Sequence, residues 1–415
     1  MEPSAKRDRH RPPLAPPALL RAEDEPILAS TVIFEEYAAA GGFLLWRTVE
    51  DVLLWAAVQP SMRSALFSDP PPEARSPRGV ELPLHVLHRK LRDEHADAET
   101  VSQLCTQISE WAESNGSIRT AIHFAQAAAV ASPTAAENAY RTGRLSRMNA
   151  QHARAESWFR RAIVLGRSAS DWTTYTRALS GLGNLYRQKG DYPAAKHFHS
   201  KTLRAAREHG LPELRGDALH DLSIVSYESG DPHAGTAYGR QAYTVRGRHH
   251  PKLPALANDL ALFWMIYEGA FSRVLPIFQE LLRYVWEPMP RLFVLANICR
   301  SAGGSGARDV FDKAWGEVWE MLTLTGNRQG HAAAFVELAH GAMMLRRWRQ
   351  AAAAAERALA IATERHECAV QRAAAALLQA IRNEARASVS VSSSGVAGRA
   401  EDELAETLVA ALRPH

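Results

Sequence analysis

The side chains best equipped for chemistry in this 415-residue chain are seventeen histidines, three cysteines and one Gly-rich stretch. None falls at a spacing that chemistry needs. His197 and His199 lie two apart, which on a helix turns them to different faces, and His249-His250 sits in a turn before Pro251. Neither pair has a third ligand close by, so no metal site is expected. His366 and Cys368 offer a base and a nucleophile, again only two apart on an expected helix. The cysteines Cys105, Cys299 and Cys368 are odd in number and far apart, which argues against a disulfide framework and against zinc. Gly303-Gly304-Ser305-Gly306 has no Lys-Ser/Thr after it and no strand before it, so it reads as a turn between helices rather than a phosphate cradle. Trp315 and Trp319, four apart, read as core packing. The expectation is a protein that is not an enzyme and has no cofactor.

Charge is more informative. Between Ala136 and His209 the chain carries fourteen Lys and Arg against five acids, whereas its whole formal charge is only +4. Such asymmetry speaks about partners rather than about fold. It points to an acidic partner, tempered by an excess of arginine over lysine along the entire chain.

What positions these charges is a repeat. The string Leu182-Gly183-x-x-Tyr186, Gly190-Asp191-Tyr192, Ala195 recurs in weaker form, with a period of 34 once and near 40 thereafter. Turns are expected near Gly116, Ala150, Gly190, Gly230, Gly269, Gly303 and Arg346. Small or apolar residues follow them at Ala121, Ala155, Ala195, Gly235, Val274, Ala307 and Ala351. A second set stands at Ala128, Ala162, Thr202, Ala242, Leu281, Ala314 and Ala358. Helix pairs of this kind cannot bury their own apolar faces, so they must stack.

The pattern resembles the tetratricopeptide repeats, which run Leu-Gly-x-x-Tyr, then Ala, then an aromatic, then Ala. Leu182, Gly183, Tyr186 and Ala195 match; His199 stands where Phe159 and Phe278 supply the aromatic in the second and fifth units. The long period is similar to that of kinesin light chains and of bacterial peptide-sensing regulators. The resemblance covers residues 101–384 and implies an all-α, right-handed α-solenoid of about seven helix pairs. It further implies that the first helix of each unit lines a ligand groove, which would hold Arg141, Arg144, Arg147, Arg177, Asn184, Arg187 and Gln188, with His220, Asp221 and Tyr227 from the fourth unit. An Asn after the Leu-Gly pair is where related peptide-binding repeats hold a ligand's backbone or terminal carboxylate.

The ends differ from the middle. Residues 1–27, Pro-rich with a basic cluster, read as a disordered arm. Residues 28–100 read as a helical module: apolar triplets from Ile33 to Trp55 predict two or three helices capping the stack, then the linker Asp69-Pro70-Pro71-Pro72 to Ser76-Pro77, then a helix over Leu82 to Arg92. Val370 to Ile381 predicts a sealing helix. Within 385–415, Ser388 to Gly398 reads as a linker and Glu401 to Leu412 as an acidic amphipathic helix able to dock on the basic repeats, on the last repeats, or on a second copy. No segment reads as membrane-spanning or as a signal peptide, and a cytoplasmic location is expected.

The functional expectation is a scaffold whose groove binds an acidic protein or peptide. One alternative is a peptide-sensing regulator whose N-terminal helices act on a second protein. Another is an RNA-binding helical-repeat protein, favoured by pI 9.0 but opposed by the period and by the lack of a repeated polar code.

Overall fold

The computed structural model describes residues 31–68, 78–324, 330–364, 367–386 and 399–413. The expected arm, the Pro-rich linker, His366 and the Ser/Gly/Val linker lie outside these residues. All regular structure among the described residues is helical, and the chain divides into two compact units, residues 1–218 and 219–415.

Unit 1 opens with α1 (Thr31–Ala57), a 3-10 turn (Pro60–Met62), α2 (Arg63–Leu66) and α3 (Glu81–Arg92). The apolar triplets lie on one helix rather than on the two or three expected, because α1 runs unbroken through Gly41 and Gly42. No proline interrupts it, and two glycines cost only about 1 kcal/mol each in helix propensity. Its later turns bury Leu44, Leu45, Val49, Val52 and Trp55 against α3 and against α5 (Ile118–Ala131). The module therefore closes the open face of the first helix pair, formed by α4 (Ala98–Ser114) and α5. Two further pairs follow: α6 (Ala136–Met148) with α7 (His152–Ser168), and α8 (Trp172–Gln188) with α9 (Tyr192–Glu208).

The division falls inside α10 (Pro212–Glu228), after Ala218. Unit 2 continues with α11 (Pro232–Arg246), the pair α12 (Leu253–Tyr267) and α13 (Phe271–Leu281), the pair α14 (Pro288–Ser305) and α15 (Arg308–Leu324), and the pair α16 (His331–Met344) and α17 (Trp348–Glu364). Helix α18 (Cys368–Arg386) packs on α16 and α17, burying Ala374, Leu377, Leu378 and Ile381. Helix α19 (Arg399–Leu412) packs on α12 and α13. That seat is the fifth pair, not the last repeats that the sequence reading named as one docking place.

The repeat register is visible as backbone geometry. The residues at Gly116, Ala150, Gly190, Gly230, Gly269 and Arg346 all have positive φ, between 57° and 82°, and the residue five positions after each is fully buried or nearly so. At Gly190 the chain leaves α8 through a left-handed residue, with Gly190 N–H donating to the Arg187 carbonyl at 3.0 Å and Asp191 N–H to that of Tyr186 at 2.9 Å. This is how a helix satisfies its last carbonyls. Asp191 then accepts from Ala194 N–H at 3.1 Å and so caps α9, and Asp231 repeats the arrangement on α11. Replacing Asp191 by Ala is expected to cost about 1 kcal/mol in denaturant unfolding. An unchanged midpoint would deny the cap its role.

The sixth unit departs from the expected register. Its turn is Gly306, with φ 75°, whereas Gly303 is buried inside α14. The positions five and twelve beyond the turn are then Phe311 and Val318, both fully buried, in place of Ala307 and Ala314. The Gly-rich stretch is therefore a helix end, and a bulky ring occupies a position that is small elsewhere. Glycine on the facing helices makes room for it: a Cβ on Gly341 would lie 3.1 Å from the Phe311 ring.

Candidate functional site

The same exchange of bulk explains the Leu-Gly signature. A Cβ on Gly183 would fall 2.5 Å from the His199 ring, and one on Gly181 2.4 Å from Phe159. Real side chains never approach so closely, so only glycine on α8 admits both a ring from α7 and a ring from α9. His199 is fully buried there, filling the place of the aromatic. The helix pairs pack ring against glycine, as the repeat pattern leads one to expect.

Around this packing the structure places four of the ten expected groove residues together. Arg144 and Arg147 of α6 and Arg177 and Asn184 of α8 line one cavity of about 150 Å³, floored by Tyr140, Phe159 and Gly181. Asn184 is half-buried, and its carboxamide makes no hydrogen bond among the described residues. An amide carries two donors and two acceptor positions.

The arginines differ from that picture. Arg177 donates to both Glu137 oxygens, at 3.0 and 2.9 Å, with its guanidinium 4.3 Å over the Tyr140 ring. Arg177 does so through one nitrogen, whereas Arg144 forks onto Glu113 with Nη1 and Nη2, at 2.6 and 2.5 Å, and Arg141 reaches Glu110 at 2.7 Å. Planar guanidinium matched to carboxylate in this way is the strongest side-chain pairing available. The hydrogen bonds from Arg144 hold the Glu113 carboxyl below its ordinary value against the opposing effect of burial. Each pair joins the first helix of one repeat to the first helix of the next. In unit 2, Arg300 of α14 and Glu337 of α16 do the same at 2.9 Å. These arginines thus staple neighbouring repeats, and Glu110 and Glu113, from outside the basic segment, offset two of its positive charges.

Sequence reasoning missed the acidic half of the staples. A signal was present, since Glu110 and Glu113 lie one repeat before Arg141 and Arg144, but they fall upstream of the window in which the charge excess was counted.

The remaining expected residues are dispersed. Arg187 is half-buried and Gln188 exposed, both on α8 outside the cavity lining. In unit 2, His220 Nε2 lies 3.0 Å from an Asp259 carboxylate oxygen and its Nδ1 3.3 Å from Arg246, while Asp221 is half-buried. Tyr227 is 1% exposed, stacked on Phe263 at 4.6 Å, and its hydroxyl is bonded to Thr236 at 2.6 Å. It packs against Gly235 as a core residue and presents no surface to a ligand. Trp315 and Trp319 stack at 5.4 Å, and Trp319 meets the Phe335 ring edge-on. Cys105 and Cys299 are buried, which pushes both thiols well above their usual range and removes them as nucleophiles. Among the described residues no helix is long and apolar enough to cross a membrane.

No protein-family model matches the chain. No curated protein matches it. Similar solved structures include a Rap protein complexed with competence and sporulation factor, at 14% identity and a TM-score of 0.44, covering 81% of this chain and 98% of that one. The Rap conjugation gene regulator of plasmid pLS20, in complex with the Phr* peptide, is 11% identical with a TM-score of 0.39, covering 83% and 98%. The TPR2AB domain of yeast Sti1, in a complex with pHSP90, is 12% identical with a TM-score of 0.27, covering 68% and 99%.

Proposed function

We propose that this chain is a non-enzymatic scaffold of the cytoplasm that binds a peptide or protein segment between α6 and α8 of unit 1. The observation that carries the reading is the half-buried Asn184, which lines an open cavity together with Arg144, Arg147 and Arg177. A primary amide is suited to hold an extended backbone, because it matches a peptide unit donor to acceptor and acceptor to donor. The neighbouring arginines favour an acidic segment or a terminal carboxylate. Their pairing with glutamates makes this preference one of geometry more than of net charge, since a ligand carboxylate must share a fork already in use.

Asn184→Ala is expected to weaken capture of an acidic peptide by about 1–3 kcal/mol while leaving the fold intact, because the ligand group it served is then desolvated and unpaired. Calorimetric titration reads the loss. Equal affinity of the variant would move the site elsewhere. A parallel salt titration against RNA distinguishes the nucleic-acid alternative, for which the affinity would fall steeply with salt and without regard to sequence.

A second reading, in which the N-terminal helices act on another protein, is supported by Leu54, Met62, Leu66 and Leu82. These large apolar side chains of α1 to α3 are 46–73% exposed.

A further inference from the structure

Helix α19 is docked out of repeat order. The end of the stack is already sealed by α18 on α17, yet α19 turns back to the fifth pair, α12 and α13. Sealing the last repeat therefore does not account for it.

The fifth pair holds α19 by features fitted to one kind of helix. Leu404, Leu408 and Leu412, four apart, are at most 3% exposed. At the N-terminal end, Arg273 of α13, whose side chain is only 5% exposed, divides its guanidinium between Glu268 at 2.8 Å and Asp402 at 2.7 Å. At the other end the last carbonyls of α19, which no further turn of helix can satisfy, are met from outside. The Tyr284 hydroxyl donates to the Leu412 carbonyl at 2.7 Å, and Arg248 to that of Ala410 at 3.2 Å. Acid at the start, leucine every fourth residue and a capped C-terminus together specify an acidic amphipathic helix.

Two clefts open to solvent flank α19, one of about 500 Å³ beside Arg273, Pro276 and Glu406 and one of about 290 Å³ beside Arg248, Tyr284 and Leu412. On these flanks α19 presents the small side chains Ala405, Ala410 and Ala411. A helix of the same pattern with bulkier flanks would gain contacts there that α19 lacks.

We infer that the face of α12 and α13 is a receptor site for an acidic amphipathic helix of a partner protein, and that α19 covers it in cis until such a helix displaces it. This site lies in unit 2 and is independent of the Asn184 cavity. Charge complementarity at Arg273, the capping by Tyr284 and Arg248 and the open clefts along the flanks of α19 all favour that occupant. A covalently attached helix competes at an effective concentration of about millimolar, so a free helix of micromolar affinity should be excluded until α19 is weakened.

The test uses the full chain and a fluorescent peptide of residues 399–413 as probe, read by anisotropy. The peptide is expected to bind the Leu408→Asp chain about 100-fold more tightly than the unaltered chain. Asp402→Arg, which replaces the contact to Arg273 by like-charge repulsion at a half-exposed position and leaves the leucine face intact, should give an intermediate gain. It decides the matter if Leu408→Asp fails to fold by circular dichroism. Equal binding to all three chains, or no binding to folded variants, overturns the inference. So does a dimer of the unaltered chain that disappears in the variants, because α19 would then be seated on a second copy.

Discussion

Gly303→Ala is expected to destabilise unit 2 by about 3 kcal/mol or more. Gly303 lies inside α14, where alanine is intrinsically better than glycine by about 1 kcal/mol. Propensity alone would therefore make the change stabilising. Packing reverses the sign: the new Cβ would stand 2.3 Å from the Gly341 carbonyl oxygen and 2.5 Å from its Cα. Both are backbone atoms of α16, so no rotamer change relieves the clash. Gly341 is equally constrained, its own Cβ position being 2.4 Å from the Cys299 carbonyl oxygen. The two helices touch backbone to backbone, and α14 must move as a whole. Gly316→Ala is the control. It lies in α15 with nothing within 4 Å of the added carbon, and should raise stability by up to about 1 kcal/mol. Urea unfolding of both variants reads the difference, and equal stability would contradict the α14–α16 crossing.

That crossing also shows where sequence reading stops. Turns and small residues at fixed offsets were legible because each repeat must close the same hairpin, and at Gly190 the left-handed turn, the Asp191 cap and the buried Ala195 stand where the spacing puts them. At Gly303 the same residue type serves a different purpose. A glycine that permits a turn and a glycine that permits close approach look alike in one sequence, and Gly306, three residues on, was the one with positive φ. Tyr227 failed for a related reason. It lies on the first helix of its unit, but Gly235 opposite it is small enough to draw the ring inward. Of the seven residues expected to line a groove from the basic helices, four meet at one cavity; which of them are already paired could not be read, because the partners lie on a neighbouring repeat.

The pairing changes what an arginine substitution must do. Arg144→Glu sets a second carboxylate against the partly buried Glu113, where the fork at 2.6 and 2.5 Å now stands. The expected loss is about 1–3 kcal/mol, well above the value of an exposed charge. Glu113→Arg alone should cost a similar amount by opposing two guanidinium groups. The double exchange, Glu113→Arg with Arg144→Glu, restores the pair in reverse and should recover most of the loss, giving a coupling energy of about 1–3 kcal/mol. Acid checks the same contact. The Glu113 carboxyl is held below its ordinary value in the folded chain, so its contribution is complete above the unfolded value of about 4.3 and is lost as pH falls through the lower folded value. Stability of the unaltered chain should therefore drop more steeply below pH 4 than that of Glu113→Gln. Binding separates the two roles of Arg144. With the staple restored in reverse, positive charge has moved from α6 to α4, so capture of an acidic peptide should weaken at least tenfold even though the melt recovers. Full capture by the double variant would make Arg144 a staple alone and remove it from the binding site.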